Sequence, residues 1–210
     1  MHPDGSSLRR GPVAAAIRRH RLIAVLRGVA PRSTLLNLID ELIADGIRIV
    51  EVTLDSAGAV GDLAAVRARA GGDVQVGAGT IRTVEQLRAA VAAGAAFGVS
   101  PILDRAVLEA ARDAGLPFVP GVATPTEADA AWRAGATFVK VFPASSLGPA
   151  FVRELRGPMP EIETVVTGGL DATNARAFLE AGAAAVGVGS ALTRMDRAER
   201  RALALQTARS

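Results

Sequence analysis

The stretch from Thr124-Pro125-Thr126-Glu127 through Arg133-Ala134-Gly135 to Phe138-Val139-Lys140-Val141-Phe142-Pro143 decides the fold. Thr124 and Glu127 have the spacing of a capping box, with proline at the first helical position, where its missing N–H costs nothing. Gly135 is the residue past a helix end, where a left-handed backbone is needed. Phe138–Phe142 is a β-type run stopped by Pro143. Helix start, helix stop and strand follow in order, which makes one β/α repeat.

The same punctuation recurs on both sides. Ala44-Asp45-Gly46, Ala92-Ala93-Gly94, Asp113-Ala114-Gly115 and Glu180-Ala181-Gly182 each close a helical pattern and precede a strand-like run, at roughly one unit per 20–25 residues. Thr83-Val84-Glu85-Gln86 has the spacing of a further capping box, and Leu35, Leu38, Ile39, Leu42 and Ile43 follow helical periodicity. The strands expected are Leu22–Arg27, Ile47–Val52, Val74–Gly79, Phe97–Ser100, Phe118–Gly121, Phe138–Phe142, Thr164–Thr167 and Ala185–Gly189. Eight such units predict an α/β fold, a (β/α)8 TIM barrel, with an extra N-terminal helix over Val13–Arg21. The alternative is a doubly wound open sheet, which would leave one or two of these strands without a place.

A chain of 210 residues suits one large core. The reading is a flexible polar tail over residues 1–11 and a single barrel domain over 12–210. Half the residues are hydrophobic but only 3% are aromatic, so alanine, valine and leucine fill the interior. With no cysteine, disulfides and thiol catalysis are excluded; His2 and His20 alone make no metal cluster, so no metal is expected. The net charge is only +3 and no basic block is interleaved with aromatics, which argues against a nucleic-acid partner. No run has the length of a membrane span and no signal segment is apparent, so a cytoplasmic protein is expected.

Lys140 is the only lysine among 24 basic residues; the rest are arginine. Arginine stays protonated, whereas a desolvated lysine can lose its proton and attack a carbonyl to form a Schiff base. A coding bias against lysine would give the same count. The apolar strand around Lys140 favours a task, because an unpaired buried charge is costly.

In a barrel of this kind chemistry sits at the C-terminal strand ends. Those ends carry Arg27, Glu51 with Thr53, Gly79-Thr80, Ser100-Pro101, Gly121 with Thr124, Lys140 with Phe142, Thr167-Gly168-Gly169 and Gly189-Ser190. Glu51, within an apolar strand, is either a base or the partner of a buried cation such as Lys140 or Arg27. Arg27 suits a carboxylate or phosphate, or else caps a helix outside the barrel. The glycine turns after the last two strands can cradle a phosphate with backbone N–H groups, or are simply tight turns.

Together Glu51-Val52-Thr53-Leu54, Val76-Gly77-Ala78-Gly79-Thr80, Val99-Ser100-Pro101, Val119–Glu127, Val139–Ala144 and Thr167-Gly168-Gly169 resemble the 2-keto-3-deoxy-6-phosphogluconate aldolases, a family that also includes 4-hydroxy-2-oxoglutarate aldolases and 6-phosphogalactonate relatives. The resemblance runs in order from about Leu22 to Leu192. It implies a homotrimeric class I aldolase that needs no cofactor. It further implies Lys140 as the Schiff-base lysine, Glu51 as acid/base and Arg27 as a substrate contact. Thr80 and Pro101 would lie beside the pyruvoyl part with Phe142 packed against it; Gly168, Gly169 and Ser190 would hold phosphate, with Thr167 and Gly189 beside them.

Asp55 departs from the pattern, since some members carry arginine there, and Arg27 is then left to serve alone. Thr167 before the glycines resembles the gluconate type; Leu26-Arg27-Gly28-Val29-Ala30-Pro31 is closer to the galactonate branch. Two other readings of the inventory stand: a phosphosugar isomerase or decarboxylase using Lys140 and Glu51 without an imine, and a non-catalytic phosphosugar-binding subunit.

Overall fold

A computed structural model describes residues 5–209. Two helices, α1 (Gly5–Arg10) and α2 (Pro12–His20), precede the first strand. Strands β1 (Leu22–Leu26), β2 (Ile49–Thr53), β3 (Gln75–Gly79) and β4 (Gly98–Val99) then alternate with α3 (Arg32–Ala44), α4 (Ala59–Ala70) and α5 (Val84–Ala92). After α6 (Arg105–Asp113) come β5 (Phe118–Val119), β6 (Gly121–Val122), α7 (Pro125–Arg133), β7 (Val139–Val141) and α8 (Ala144–Arg156). The chain ends with β8 (Thr164–Thr167), α9 (Ala175–Glu180), β9 (Ala185–Val188), a 3-10 turn at Leu192–Arg194 and α10 (Arg197–Thr207).

All pairings are parallel, in the order β5-β4-β3-β2-β1-β9-β8-β7-β6. β5 and β6 are two halves of one strand. Pro120, which has no N–H to give to a ladder, separates them. The first half pairs with β4 and the second with β7; Ser100 N–H donates to Val119 O at 3.0 Å and Lys140 N–H to Pro120 O at 2.8 Å. The eight expected strands therefore form the barrel, the fifth of them interrupted.

The period of two sorts every strand into two faces. Leu22, Ala24 and Leu26, Val50 and Val52, Val139 and Val141 point outward into the core under the helices. Ile23, Ile49, Phe97, Phe138 and Val165 point inward, where Val13, Ala14 and Ile17 of α2 close the N-terminal end of the barrel. Strand glycines make room for the few aromatic rings, Gly77 on the inward face and Gly98 on the outward one. A Cβ on Gly77 would stand 2.5 Å from the Phe97 ring, and one on Gly98 2.7 Å from Phe118.

Thr124 and Glu127 form the full capping box at α7. At α5 only half of one is present: Thr83 accepts from Gln86 N–H, but Gln86 Oε1 receives the N–H of Arg82 instead of that of Thr83. The N-terminal segment also differs from the flexible tail expected over residues 1–11. Residues 1–4 lie outside the described residues, but Gly5–Arg10 is helical and fastened. The Arg9 guanidinium lies 3.6 Å from the Trp132 ring centre and donates to the carbonyl oxygens of Ala136 and Trp132.

Candidate active site

Inward alternation on β7 and β2 places Lys140 and Glu51 inside the barrel at its C-terminal end, only 6% and 1% exposed. Burial lowers the Lys140 pKa; Glu51 opposes that shift and Arg27 adds to it. Burial raises the Glu51 pKa, against the charges of Lys140 and Arg27. Both groups are thereby pushed towards their neutral forms, a free amine and a carboxylic acid. Glu51 owes its position to a missing side chain, since a Cβ on Gly79 would fall within its carboxyl group. Lys140 Nζ lies 5.0 Å from the centre of the Phe142 ring.

A cavity of about 310 Å³ opens above Lys140. Of the residues singled out in the sequence, Arg27, Lys140, Phe142, Thr167, Gly168, Gly169, Gly189 and Ser190 line it. Gly168 and Gly169 have φ of +98° and +74°, a conformation that glycine adopts without strain. A Cβ on Gly169 would also stand 2.5 Å from Ser145 Oγ. Among the described residues, the backbone N–H groups of Gly169, Leu170 and Ser190 donate to no protein acceptor. The Thr167 hydroxyl oxygen is buried and unpartnered. The cavity thus offers free donors around one end and an amine at the other.

Glu51, Thr80 and Pro101 lie outside that lining. Thr80 connects to it through Arg27, whose Nη2 donates to Thr80 Oγ1 at 3.2 Å. Thr80 itself has φ of +59°, unusual for a β-branched residue. Pro101 backs the barrel wall, where its carbonyl occupies the space a Cβ on Gly121 would need. Arg27 does not serve alone: Asp55 pairs with its guanidinium, so the position where an arginine was missing supplies an anion.

Two strand glycines already noted in the sequence and two residues that the sequence reading passed over, Asp171 and Arg194, complete the site. Gly79 accommodates Glu51, and Gly187 accommodates Thr167, whose Cγ2 would stand 2.6 Å from an added Cβ. A glycine inside a strand run is a signal of such close approach. Asp171 and Arg194 line the cavity from the turns after β8 and β9, where spacing alone gives no signal. Among the described residues no group of three potential ligands could hold a metal ion, and no helix is long and apolar enough to cross a membrane.

A desolvated amine facing an acid at the mouth of a (β/α)8 barrel, beside free backbone donors, defines a carbonyl-processing lyase barrel. The family model for KDPG and KHG aldolases matches residues 13–205. The 2-dehydro-3-deoxy-6-phosphogalactonate aldolase of Escherichia coli is 34% identical over 86% of this chain and 88% of its own. The 2-dehydro-3-deoxy-phosphogluconate aldolase of Treponema pallidum is 42% identical over 63% of each chain. Among solved structures, the KDPG aldolase of Legionella pneumophila, with pyruvate captured at low pH as a covalent carbinolamine, superimposes with a TM-score of 0.84. It is 28% identical and covers 95% of this chain and 100% of its own. The chain belongs to the KDPG and KHG aldolase family. It is a class I aldolase, a carbon–carbon lyase.

Proposed function

We propose that this aldolase cleaves 2-keto-3-deoxy-6-phosphogluconate, or a closely related 4-hydroxy-2-oxo acid, to pyruvate and an aldehyde, with Lys140 as the imine-forming residue. The observation that carries the reading is the buried, depressed-pKa Lys140 beneath a cavity whose far end is lined by the Gly168-Gly169 and Gly189-Ser190 turns. The Lys140 amine attacks the C2 ketone, and the carbinolamine loses water with a proton supplied by Glu51. The protonated imine is the electron sink. Glu51, now a carboxylate, takes the proton of the C4 hydroxyl, directly or through water, as the C3–C4 bond breaks. The aldehyde leaves; the enamine takes a proton at C3, and hydrolysis of the imine releases pyruvate and the free lysine.

Arg27 and Thr80 contact the keto-acid end together with Pro101. Phe142 packs on it, and Thr167 offers its unpartnered hydroxyl to a sugar hydroxyl. The free N–H groups of Gly169 and Ser190 receive the phosphate, with Gly168 and Gly189 allowing the approach. Homotrimeric assembly and a cytoplasmic location accompany this reading through the family resemblance.

Sodium borohydride with pyruvate tests it. The expected result is inactivation and a single pyruvoyl-derived mass addition at Lys140; the only other primary amine is at the N-terminus. Retained activity and no mass shift would overturn the imine. A second reading, cleavage of the 6-phosphogalactonate epimer, is favoured by Leu26–Pro31 and by the extent of the match to the Escherichia coli relative. Assaying both epimers in parallel separates the two.

A further inference from the structure

The turn after β9 is a thin wall. On one side Gly189, Ser190, Ala191 and Arg194 line the cavity above Lys140. On the other, Ser190 and Thr193 face a second cavity of about 670 Å³, closed across from them by Thr34, Asn37 and Leu38 of α3. With open space on both faces, packing against α3 does not fix the turn there. Leu192, fully buried, pins its middle to the core. The rest is held by a run of hydrogen bonds that ends on one side chain.

Four successive carbonyls of the turn are taken. Leu192 N–H donates to Gly189 O at 2.9 Å, the Thr193 hydroxyl to Ser190 O at 3.1 Å, Arg194 N–H to Ala191 O at 3.1 Å and Met195 N–H to Leu192 O at 3.3 Å. Met195 O then accepts from Arg200 Nη1 at 3.0 Å. Arg200, on α10, is only 6% exposed. Its Nε donates to Asp45 Oδ2 at 2.7 Å and its Nη2 to Glu41 Oε2 at 2.9 Å. Asp45, just past the end of α3, has no side-chain exposure, and its Oδ1 accepts from Arg197 Nε at 2.9 Å. The Arg200 fork thus grips two carboxylates with two of its nitrogens and the turn with the third. An ion pair buried this deeply is a poor source of stability, since apolar side chains of the same volume hold two helices together as well or better. They cannot hold a carbonyl at a fixed distance from a fixed anion, which a rigid guanidinium does.

We propose that Arg200 is a positioning residue: through Met195 O it sets where the turn after β9, and with it the free N–H of Ser190, stands relative to Lys140. The inference rests on the proposed function above, in which that N–H receives phosphate, and adds a side chain remote from the substrate that governs phosphate affinity. Arg197 is its natural control. It holds the same carboxylate from the same helix and donates to no carbonyl of the turn, so it separates the docking of α10 from the placement of the turn.

The experiment assays 2-keto-3-deoxy-6-phosphogluconate and its dephosphorylated form on the wild type, Arg200→Lys, Arg197→Ala and the double variant Asp45→Leu with Arg200→Met. Apolar side chains replace the buried pair in the double variant, and urea unfolding checks that each protein is folded. In the double variant KM for the phosphorylated substrate rises about 10–100-fold, the scale of a misplaced binding group, while kcat, KM for the dephosphorylated substrate and borohydride trapping of pyruvate at Lys140 stay within about twofold. Arg200→Lys, which keeps the charge without the fork, shows a smaller rise in the same parameter. Arg197→Ala leaves the ratio of the two KM values unchanged. An unchanged ratio in Arg200→Lys and in the double variant overturns the role of Arg200. So does an equal rise on both substrates, or a change in Arg197→Ala as large as in the double variant, since either means that the network only holds the fold. Wild type that traps pyruvate and prefers the phosphorylated substrate, with the ratio intact in the variants, sinks this inference alone. Wild type that traps no pyruvate, or shows no preference for phosphate, sinks the proposed function and this inference with it.

Discussion

The two ends of the barrel are built from the same strands and solve opposite problems. At the N-terminal end the inward positions are Ile23, Ile49, Phe97 and Phe138, and α2 seals them with Val13, Ala14 and Ile17. Two or so residues further along, the inward positions are Glu51, Lys140 and Thr167, the last two lining a cavity instead of a plug. The lower layer gains from burying apolar surface. The upper layer pays a desolvation cost for two ionisable groups and leaves one hydroxyl without a partner. The strand register serves both: one step of two residues moves a side chain from the sealed layer to the reactive one, and a shift of one would turn Lys140 outward under the helices.

Substitutions at the two ends should therefore separate rate from stability. Glu51→Gln is expected to lower turnover about 10²–10⁴-fold while imine trapping at Lys140 persists; loss of trapping in a folded variant would make Glu51 a positioning residue for the lysine. At the other end, Phe138→Ala should cost about 3–5 kcal/mol in urea unfolding, the usual size for a buried ring, and leave trapping intact in the folded fraction. Equal effects of both variants on rate and stability would erase the division. The double variant Lys140→Met with Glu51→Gln should gain about 1–2 kcal/mol, because it relieves two buried ionisable groups. Lys140→Met alone should gain less, since Glu51 then loses its nearby cation.

A smaller effect concerns pH. The free amine is the reactive form, so trapping rises with pH through the Lys140 pKa, which burial holds below the ordinary lysine value. Glu51 raises that pKa, so Glu51→Gln should shift the rise to lower pH. An unchanged pH dependence would mean that the two side chains do not interact. The smallest effect is none at all: EDTA should leave the rate unchanged, because the imine supplies the electron sink that a metal would otherwise provide.

Local chemistry wrote most of the fold into the sequence. Thr124, Glu127 and Gly135 bound one helix by capping and left-handed turn rules that depend on neighbours alone, so α7 followed directly. The interruption at Pro120 did not, because a missing N–H matters only relative to strands on either side. Gly5–Arg10 was read as loose because its partner, Trp132, is far away in the chain. The same limit applies at the site. Lys140 and Glu51 are conspicuous as charges in apolar strands. Asp55 read as a lost arginine, and only the folded loops show it bound to Arg27. Arg194 is one of many arginines in the chain and becomes distinctive only where the fold brings it to the cavity.

The seal formed by α2 also has a consequence for how the chain is made. A ribosome releases Val13, Ala14 and Ile17 early, but the surface they cover includes Phe97, Phe138, Val165 and Ala185. At ordinary elongation rates of about 5–20 residues per second the last of these emerges roughly 10–30 s later. During that interval a short apolar helix waits without its seat, and the half-built barrel presents open strand edges. Vectorial synthesis thus leaves an early-made helix to wait for a seat that only the last strand completes.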